Sequence, residues 1–552
     1  MKNGTGIGVL ELMQGFPVQH RDSVNLAGAV VAVFIASLIS LVLYRLYFHP
    51  LRSLPGPLIA KVTSFYNTFH IVKCDEARNM HVLHERYGQV VRYGPNHVSI
   101  RSPEAVRKLY TVSTHTRKAD SYLAFPRDPN KASLFSAIDK GVHARKRRIL
   151  RYGFSDSALK DAESIVKKYV SILCKCLEFL DDDDGEGRSA HEKTATWAWS
   201  TPKNFSTWIN RYSFDLSSHL SLSRSFSMME SSQNRNMVDI IHENMWAENV
   251  TGSSIRILQQ WKLKKLLYKS ISSSKPFDDF VEEGATARVR AKLDGIDKHT
   301  KDFVFWLTDR LDGDSNEHLS MDELKEEIIL LITAGGDTSS TTISAAMYYL
   351  LHSESKLQRL QKEIRSVFAS AEDISFANGT GSCVYLRACI DEALRLAPPA
   401  GSVLRRQVEP GGVVVGEFVY PSGTNIGVPV FSMHHDASYF PDPFMFQPER
   451  WIPGETLADG TIVSVEMVKR ASSAFLPFSA GTRSCIGRPL AYMQMQVLYA
   501  TLLWKYDVRL CRERWLNGKK SGLGLDQTKE YELADIFTSW KDGPLVEVKR
   551  RM

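Results

Sequence analysis

The sequence predicts a mainly α chain with small β-sheets, an α+β body forming one domain behind an N-terminal transmembrane helix. Three observations predict it. Apolar residues at helical spacing dominate the body. Strand-like runs are few and short, as in Val90-Val91-Arg92-Tyr93 and His97-Val98-Ser99-Ile100 around Gly94-Pro95, and again between Val413 and Val430. Val24 to Tyr44 holds no charged residue. As a helix rising about 1.5 Å per residue it would span roughly 30 Å, the thickness of a bilayer core.

The anchor is placed at 24–46, after a short tail of 1–23. A cleaved signal peptide fits less well, because the stretch is long, begins far from Met1 and lacks a small-residue cleavage site before Arg45. Arg45, Arg52 and Lys61 follow the span, which favours a cytoplasmic C-terminal side. Asn3-Gly4-Thr5 would then be a lumenal glycosylation acceptor, with Asn3 modified. Asn204-Phe205-Ser206 and Asn249-Val250-Thr251 would lie in the cytosol and stay bare. His49-Pro50 and Pro55-Gly56-Pro57 make 47–60 a stiff hinge, since proline cannot continue a helix. The remaining 61–552 shows no internal repeat and no second boundary. Asp181 to Gly187 is an acidic run expected as a solvated loop, and the tail after Arg514 is expected to be loop-rich.

Composition excludes several classes. Of 552 residues, 43% are hydrophobic and 24% charged, an ordinary globular balance. The formal charge of +7 is too mild at this length to argue for a nucleic-acid partner. Seven cysteines with no CxxC pair exclude a disulfide scaffold and a zinc ribbon.

The most informative stretch runs from Phe478 through Gly481, Arg483 and Cys485 to Gly487. It precedes a helix-like run with Pro489 near its start, so Cys485 sits just before a helix N-terminus. Backbone N–H groups and the helix dipole there favour thiolate. Gly481 and Gly487 permit close backbone approach. Arg483 suits a carboxylate. A lone thiolate in a glycine loop suits the single axial position of haem iron.

This stretch resembles the haem-binding signature of the cytochrome P450 monooxygenases, F-x-x-G-x-R-x-C-x-G, at all five fixed positions. The resemblance runs from about Tyr47 to Asp507. It is of the fungal secondary-metabolism type, to which Tyr47 to Arg52, Pro55-Gly56-Pro57, His143-Ala144-Arg145 and Gly153-Phe154-Ser155 are similar. It implies the P450 fold and haem b (iron protoporphyrin IX) ligated by Cys485. It further implies a single-pass protein of the endoplasmic reticulum membrane whose catalytic domain faces the cytosol.

Upstream, Ser320-Met321-Asp322-Glu323 is a capping box that opens a long helix reaching about Leu351. In its middle stand Ala334, Gly335, Gly336, Asp337 and Thr338. Two glycines cost about 2 kcal/mol in a helix interior, so they need a packing or functional reason. Ala334 and Gly335 share a face with Thr338 and leave a groove beside its hydroxyl. Thr338 can also bond the carbonyl four residues back and loosen the helix. The stretch matches the family pattern (A/G)-G-x-(D/E)-T. The resemblance implies that Thr338 positions dioxygen, that Asp337 helps deliver protons, and that Ala334 and Gly335 border the cofactor.

The resemblance also assigns supporting residues. Glu392 and Arg395 fit E-x-x-R, and Arg450 joins them from Pro448-Glu449-Arg450-Trp451, with Trp in place of the usual Phe. A glutamate held by two arginines is a structural clamp. Arg147 matches the arginine of W-x-x-x-R that contacts the haem propionates; His143 takes the Trp position, a departure that leaves open whether it donates to a propionate. Arg406 matches the arginine expected after the E-x-x-R helix.

Function follows as an expectation: insertion of one oxygen atom from O2 into an apolar small molecule, a step in fungal secondary metabolite biosynthesis. No GxGxxG follows a strand, so electrons come from a separate partner. The resemblance implies NADPH-cytochrome P450 reductase, with cytochrome b5 as a second donor. The basic run His143 to Arg148 could dock an acidic reductase surface. Ser121 to Phe135 and Ile328, Leu331 and Ile332 are expected to line an apolar pocket. Two alternatives are a haem-thiolate isomerase or dehydratase acting without O2, whose relatives tend to lose the acid–threonine pair, and a non-enzymatic haem sensor. Turnover without NADPH and reductase would mark the former; a holoprotein that consumes no NADPH would mark the latter.

Overall fold

The computed structural model describes residues 18–110, 115–126, 131–180, 198–253, 274–296, 301–308, 319–376, 379–511 and 530–551. Asn3 and the acidic run 181–187 lie outside the described residues, as does 512–529 of the tail.

Helix α1 (Val18–Leu43) continues as a π-turn over Tyr44–Phe48, so the helical stretch is longer at both ends than the charge-free segment. Gly28–Phe48 is long and apolar enough to cross a membrane, and none of it is buried in the protein. Its end is tied to the body. Arg92 Nη1 donates to Arg45 O at 3.1 Å, and the Arg45 guanidinium donates to Val62 O. His49 bonds Asn96 at 2.8 Å.

The body is helical, with sheets at its edges. Strands β1 (Val90–Gly94) and β2 (His97–Ile100) pair antiparallel as the hairpin expected from Gly94-Pro95. With β3 (Thr116–Lys118), β5 (Arg406–Val408) and β8 (Asn425–Gly427) they form one sheet in the order β1-β2-β8-β5-β3. β4 (Lys203–Asn204), β9 (Tyr506–Leu510) and β12 (Leu545–Arg550) form a second sheet, and β6 (Val413–Val415) pairs with β7 (Phe418–Tyr420). A further hairpin, β10 (Ala534–Asp535) and β11 (Ser539–Trp540), completes the strands among the described residues. The described part of the tail, 530–551, carries the short strands β10, β11 and β12 between loops. Val546 and Val548 are buried and Glu547 and Lys549 are not, an alternation too brief to stand out.

Seven helices build the site. They are α2 (Lys140–Leu150), α3 (Phe205–Leu222), α4 (Met237–Ser253), α5 (Met321–Leu351), α6 (Val384–Leu396) and α7 (Val430–His434), followed by α8 (Arg488–Lys505), which carries the cysteine loop at its start. The α5 capping box forms on both sides: Ser320 Oγ accepts from Glu323 N at 3.2 Å and Glu323 Oε2 from Ser320 N at 3.0 Å. Helix α5 lies along α3, where Trp208, Tyr212 and Phe214 are fully buried. A Cβ on Gly336 would stand 2.5 Å from the Phe214 ring, and one on Gly335 would stand 2.9 Å from Ser217 Oγ. Both glycines are there so that α5 and α3 can touch. Helix α5 runs unbroken through them from Met321 to Leu351.

Candidate active site

A cavity of about 370 Å³ opens between α5 and the loop before α8. Cys485, Thr338, Ala334 and Gly335 all border it, together with Phe478, Arg483, Gly487, His143, Arg147 and Arg406. Residues dispersed over the whole length of the sequence thus meet at one void.

The cysteine loop is shaped by two left-handed residues, Ser479 at φ +57° and Gly481 at φ +69°. Glycine takes that conformation without strain; Ser479 holds it as a constrained residue beside the site. Cys485 N donates to Phe478 O at 2.9 Å and closes the loop. A Cβ on Gly487 would sit 3.8 Å from Cys485 Sγ. Cys485 lies inside the protein, yet its side chain is exposed because it faces the cavity. Burial pushes the thiol up, against the amides of Gly487 and Arg488 and the Arg147 guanidinium, which pull it down. The helix-start expectation of a lowered thiol is reversed on balance, because the fold also removes water from the sulfur.

The cavity wall on the α2 side is cationic. Arg147 Nη1 donates to Ser484 O at 2.7 Å, and Arg483 Nη2 to Ile138 O at 3.1 Å. Arg406 Nη1 donates to Arg405 O at 3.2 Å, its guanidinium 4.7 Å from the centre of the Tyr110 ring. Lys118, which sequence reasoning missed, joins them. It is the antiparallel partner of Arg406 across β3 and β5, so two cations stand directly opposite. Among the described residues Arg147, Arg406, Arg483 and Lys118 bond no carboxylate. Burial and mutual repulsion hold Lys118 well below the usual lysine range and bring Arg483 down to about 10. His143, buried against the same wall, is pushed down to about 3 by burial and then by Arg483 and Lys118, so it is neutral. A cluster of buried and half-buried cations without a carboxylate fits a group bearing anionic arms, and a lone thiol on the same cavity fits a metal at its centre. The residues present therefore suit haem b, with its two propionates.

On α5, Thr338 Oγ1 donates to Ala334 O at 2.6 Å, the bond expected of a mid-helix threonine. Ala334 is exposed although it stands mid-helix, because its side chain meets only the cavity. Asp337 turns the other way and does not line the cavity. It is fully buried, its Oδ1 at 2.8 Å from both Lys541 Nζ and His242 Nε2. Those two partners hold its carboxyl far below the usual carboxylate range despite burial. Lys541 also donates to Ser340 Oγ at 2.7 Å.

The pocket expectations divide by helical phase. Leu331 lines the cavity with Leu330 and Ile329. Ile328 and Ile332 do not; both are fully buried in the main helical core. A step of about 100° per residue separates neighbours, and only tertiary packing says which stripe faces the void. Tyr122, Phe125, Leu134 and Phe135 line it from the 121–135 segment, of which 127–130 lies outside the described residues. Phe537, at φ +100°, packs on Phe125 and Phe135 with ring centres 4.8 and 5.4 Å away. Glu248 of α4 and Glu326 of α5 also reach this wall, so it is not wholly apolar.

Below the cavity Glu392 is fully buried and satisfied five times. Arg395 donates to Oε2 through Nε at 2.9 Å and to Oε1 through Nη2 at 2.8 Å. Arg450 Nε donates to Oε1 at 2.9 Å, Gln447 N to Oε1 at 3.0 Å and Trp451 Nε1 to Oε2 at 3.0 Å. Against its burial, Arg395 and Arg450 bring Glu392 down to about 2. The tryptophan that departs from the family pattern supplies a donor that phenylalanine lacks.

Residues 55–533 match the family model for cytochrome P450. The chain is 33% identical to the cytochrome P450 monooxygenase poxM of Penicillium oxalicum over 529 residues, covering 95% of each. It is 30% identical to the trichothecene C-15 hydroxylase of Fusarium sporotrichioides over 517 residues, 93% of this chain and 95% of that one. It is 31% identical to the tryprostatin B 6-hydroxylase of Aspergillus fumigatus over 489 residues, 88% and 80% respectively.

Proposed function

The chain belongs to the cytochrome P450 family and is a haem-dependent monooxygenase, and from that premise we propose how its own residues divide the work. Cys485 would hold the haem iron through its sulfur. Arg147, Arg406, Arg483 and Lys118 would neutralise the propionates, and His143 would offer them a neutral hydrogen-bond donor. The observation that carries this reading is the meeting on a single cavity of one interior thiol, the Thr338 hydroxyl and a cation cluster that bonds no carboxylate among the described residues. When bound, haem b supplies a redox-active iron that activates dioxygen.

The protein supplies orientation and protons. The Thr338 hydroxyl, tethered to Ala334 O, presents its oxygen to the cavity and positions dioxygen. Asp337, one residue before Thr338, helps deliver protons as the ionised partner that holds the Lys541 and His242 donors in place. Gly335 and Ala334 border the cofactor because neither bears a side chain that could displace it. Glu392, Arg395 and Arg450 are scaffold.

The substrate is a small molecule, mainly apolar, held against Phe125, Phe135, Leu331 and Phe537, and the step belongs to fungal secondary metabolism, as the names of its relatives suggest. Electrons come from NADPH-cytochrome P450 reductase, with cytochrome b5 as a second donor. Arg148 and Arg151, exposed at the end of α2, offer acidic partners a docking face. The chain divides into a lumenal tail (1–23), an anchor (24–46), a proline-rich hinge (47–60) and the monooxygenase domain (61–552). The domain faces the cytosol from the endoplasmic reticulum membrane, with Asn3 glycosylated on the lumenal side.

Cys485→Ala tests the reading. It is expected to abolish the thiolate-type absorption of the reduced, CO-bound protein. A variant that keeps that band removes Cys485 from the role.

A further inference from the structure

His434 carries no motif, yet it joins the Glu392 clamp to the cysteine loop. It is the last residue of α7 and fully buried. Its Nε2 accepts from Leu476 N at 2.8 Å, and its Nδ1 donates to Arg395 O at 3.2 Å. Its own carbonyl accepts from Arg395 Nη1 at 2.9 Å. Only the neutral tautomer protonated on Nδ1 makes both ring bonds, and burial, pushing His434 down to about 3, keeps the ring neutral.

A second route runs alongside. Trp451 donates to Glu392, and its ring lies 4.7 Å from that of Phe475, which in turn lies 5.4 Å from His434. Both routes end at Phe475-Leu476, the root of the cysteine loop. From there Leu476 O accepts from Ser479 N at 3.0 Å, and Phe478 O accepts from Cys485 N at 2.9 Å. Ser479 is the left-handed residue of the loop, a conformation that persists only where its surroundings over-determine it.

We propose that His434 and Trp451 are positioning residues for the Cys485 thiolate. Resting on the reading of Cys485 as axial ligand, they transmit the rigidity of the Glu392 cluster to the loop root. They keep the sulfur in register with the cavity, as outer partners commonly do for a metal ligand. Each takes away one degree of freedom: His434 fixes the Leu476 amide, and Trp451 fixes the Phe475 ring.

The test uses the full chain loaded with haem, as Trp451→Phe, His434→Asn and His434→Leu. Three quantities are read together: haem retained, melting temperature, and the share of reduced, CO-bound protein with thiolate-type against thiol-type absorption. Trp451→Phe keeps the ring and loses only the donor. His434→Asn keeps a donor for Arg395 O and loses the acceptor for Leu476 N. Both are expected to retain haem while the thiol-type share rises several-fold, with His434→Leu the most affected. If His434→Leu does not fold, the two conservative variants decide. Loss of haem and melting temperature together, with retained haem still wholly thiolate-ligated, would make the pair structural only and overturn the proposal. Wild-type protein without a thiolate-type band would instead overturn the assignment of Cys485.

Discussion

Lys541 Nζ and Asp337 Oδ1 are 2.8 Å apart, and neither side chain touches solvent. The ammonium comes from the C-terminal strand region, the carboxylate from the middle of α5, next to the threonine that borders the cavity. This ion pair keeps Asp337 ionised and anchors the hairpin that also carries Phe537.

Lys541→Met removes the ammonium and leaves Asp337 with His242 alone. Breaking one side of a buried pair costs about 3–5 kcal/mol. The sign with pH follows from the carboxylate. In the wild type Asp337 sits below its unfolded value, so its contribution is fully present above about pH 4 and is lost only in strong acid. In Lys541→Met burial wins and raises Asp337, so the gap to wild type narrows as pH falls from 7 to 5. Denaturant midpoints at both pH values check this, and a gap that stays constant contradicts it.

Glu392→Gln leaves two buried guanidinium groups without a carboxylate. Holoprotein yield is expected to fall sharply. The wild type should lose roughly 3 kcal/mol of stability as pH falls from about 4 toward the lowered value of about 2. The variant should show no such acid limb in a haem-retention titration.

Thr338→Ala loses one hydrogen bond to Ala334 O and should change stability by about 1 kcal/mol or less. With reductase, NADPH and a turnover substrate, peroxide formed per NADPH is expected to rise while haem content stays the same. Full coupling in the variant would remove Thr338 from the role of positioning dioxygen.

Gly336→Ala places a methyl 2.5 Å from the Phe214 ring. Overpacking of about 1–3 kcal/mol should outweigh the gain of about 1 kcal/mol in helix propensity. A lower melting temperature checks it, and restoration by Phe214→Leu would locate the clash.

The chain by itself determined what is local. The thiolate loop, the capping box, the E-x-x-R pair and the charge-free anchor are each specified within about twenty neighbouring residues, where glycine freedom, capping and periodicity act. Tertiary structure alone decided who answers them. Lys541 meets Asp337 across 204 positions, and Lys118 meets Arg406 through strand register. Ile328 and Ile332 turn inward while Leu331 faces the void, because α3 claims the other stripe. The Cys485 thiol is raised where its helix start alone would lower it, because desolvation depends on everything packed around the sulfur. Burial and pairing are properties of the assembled core, and no short window of residues contains them.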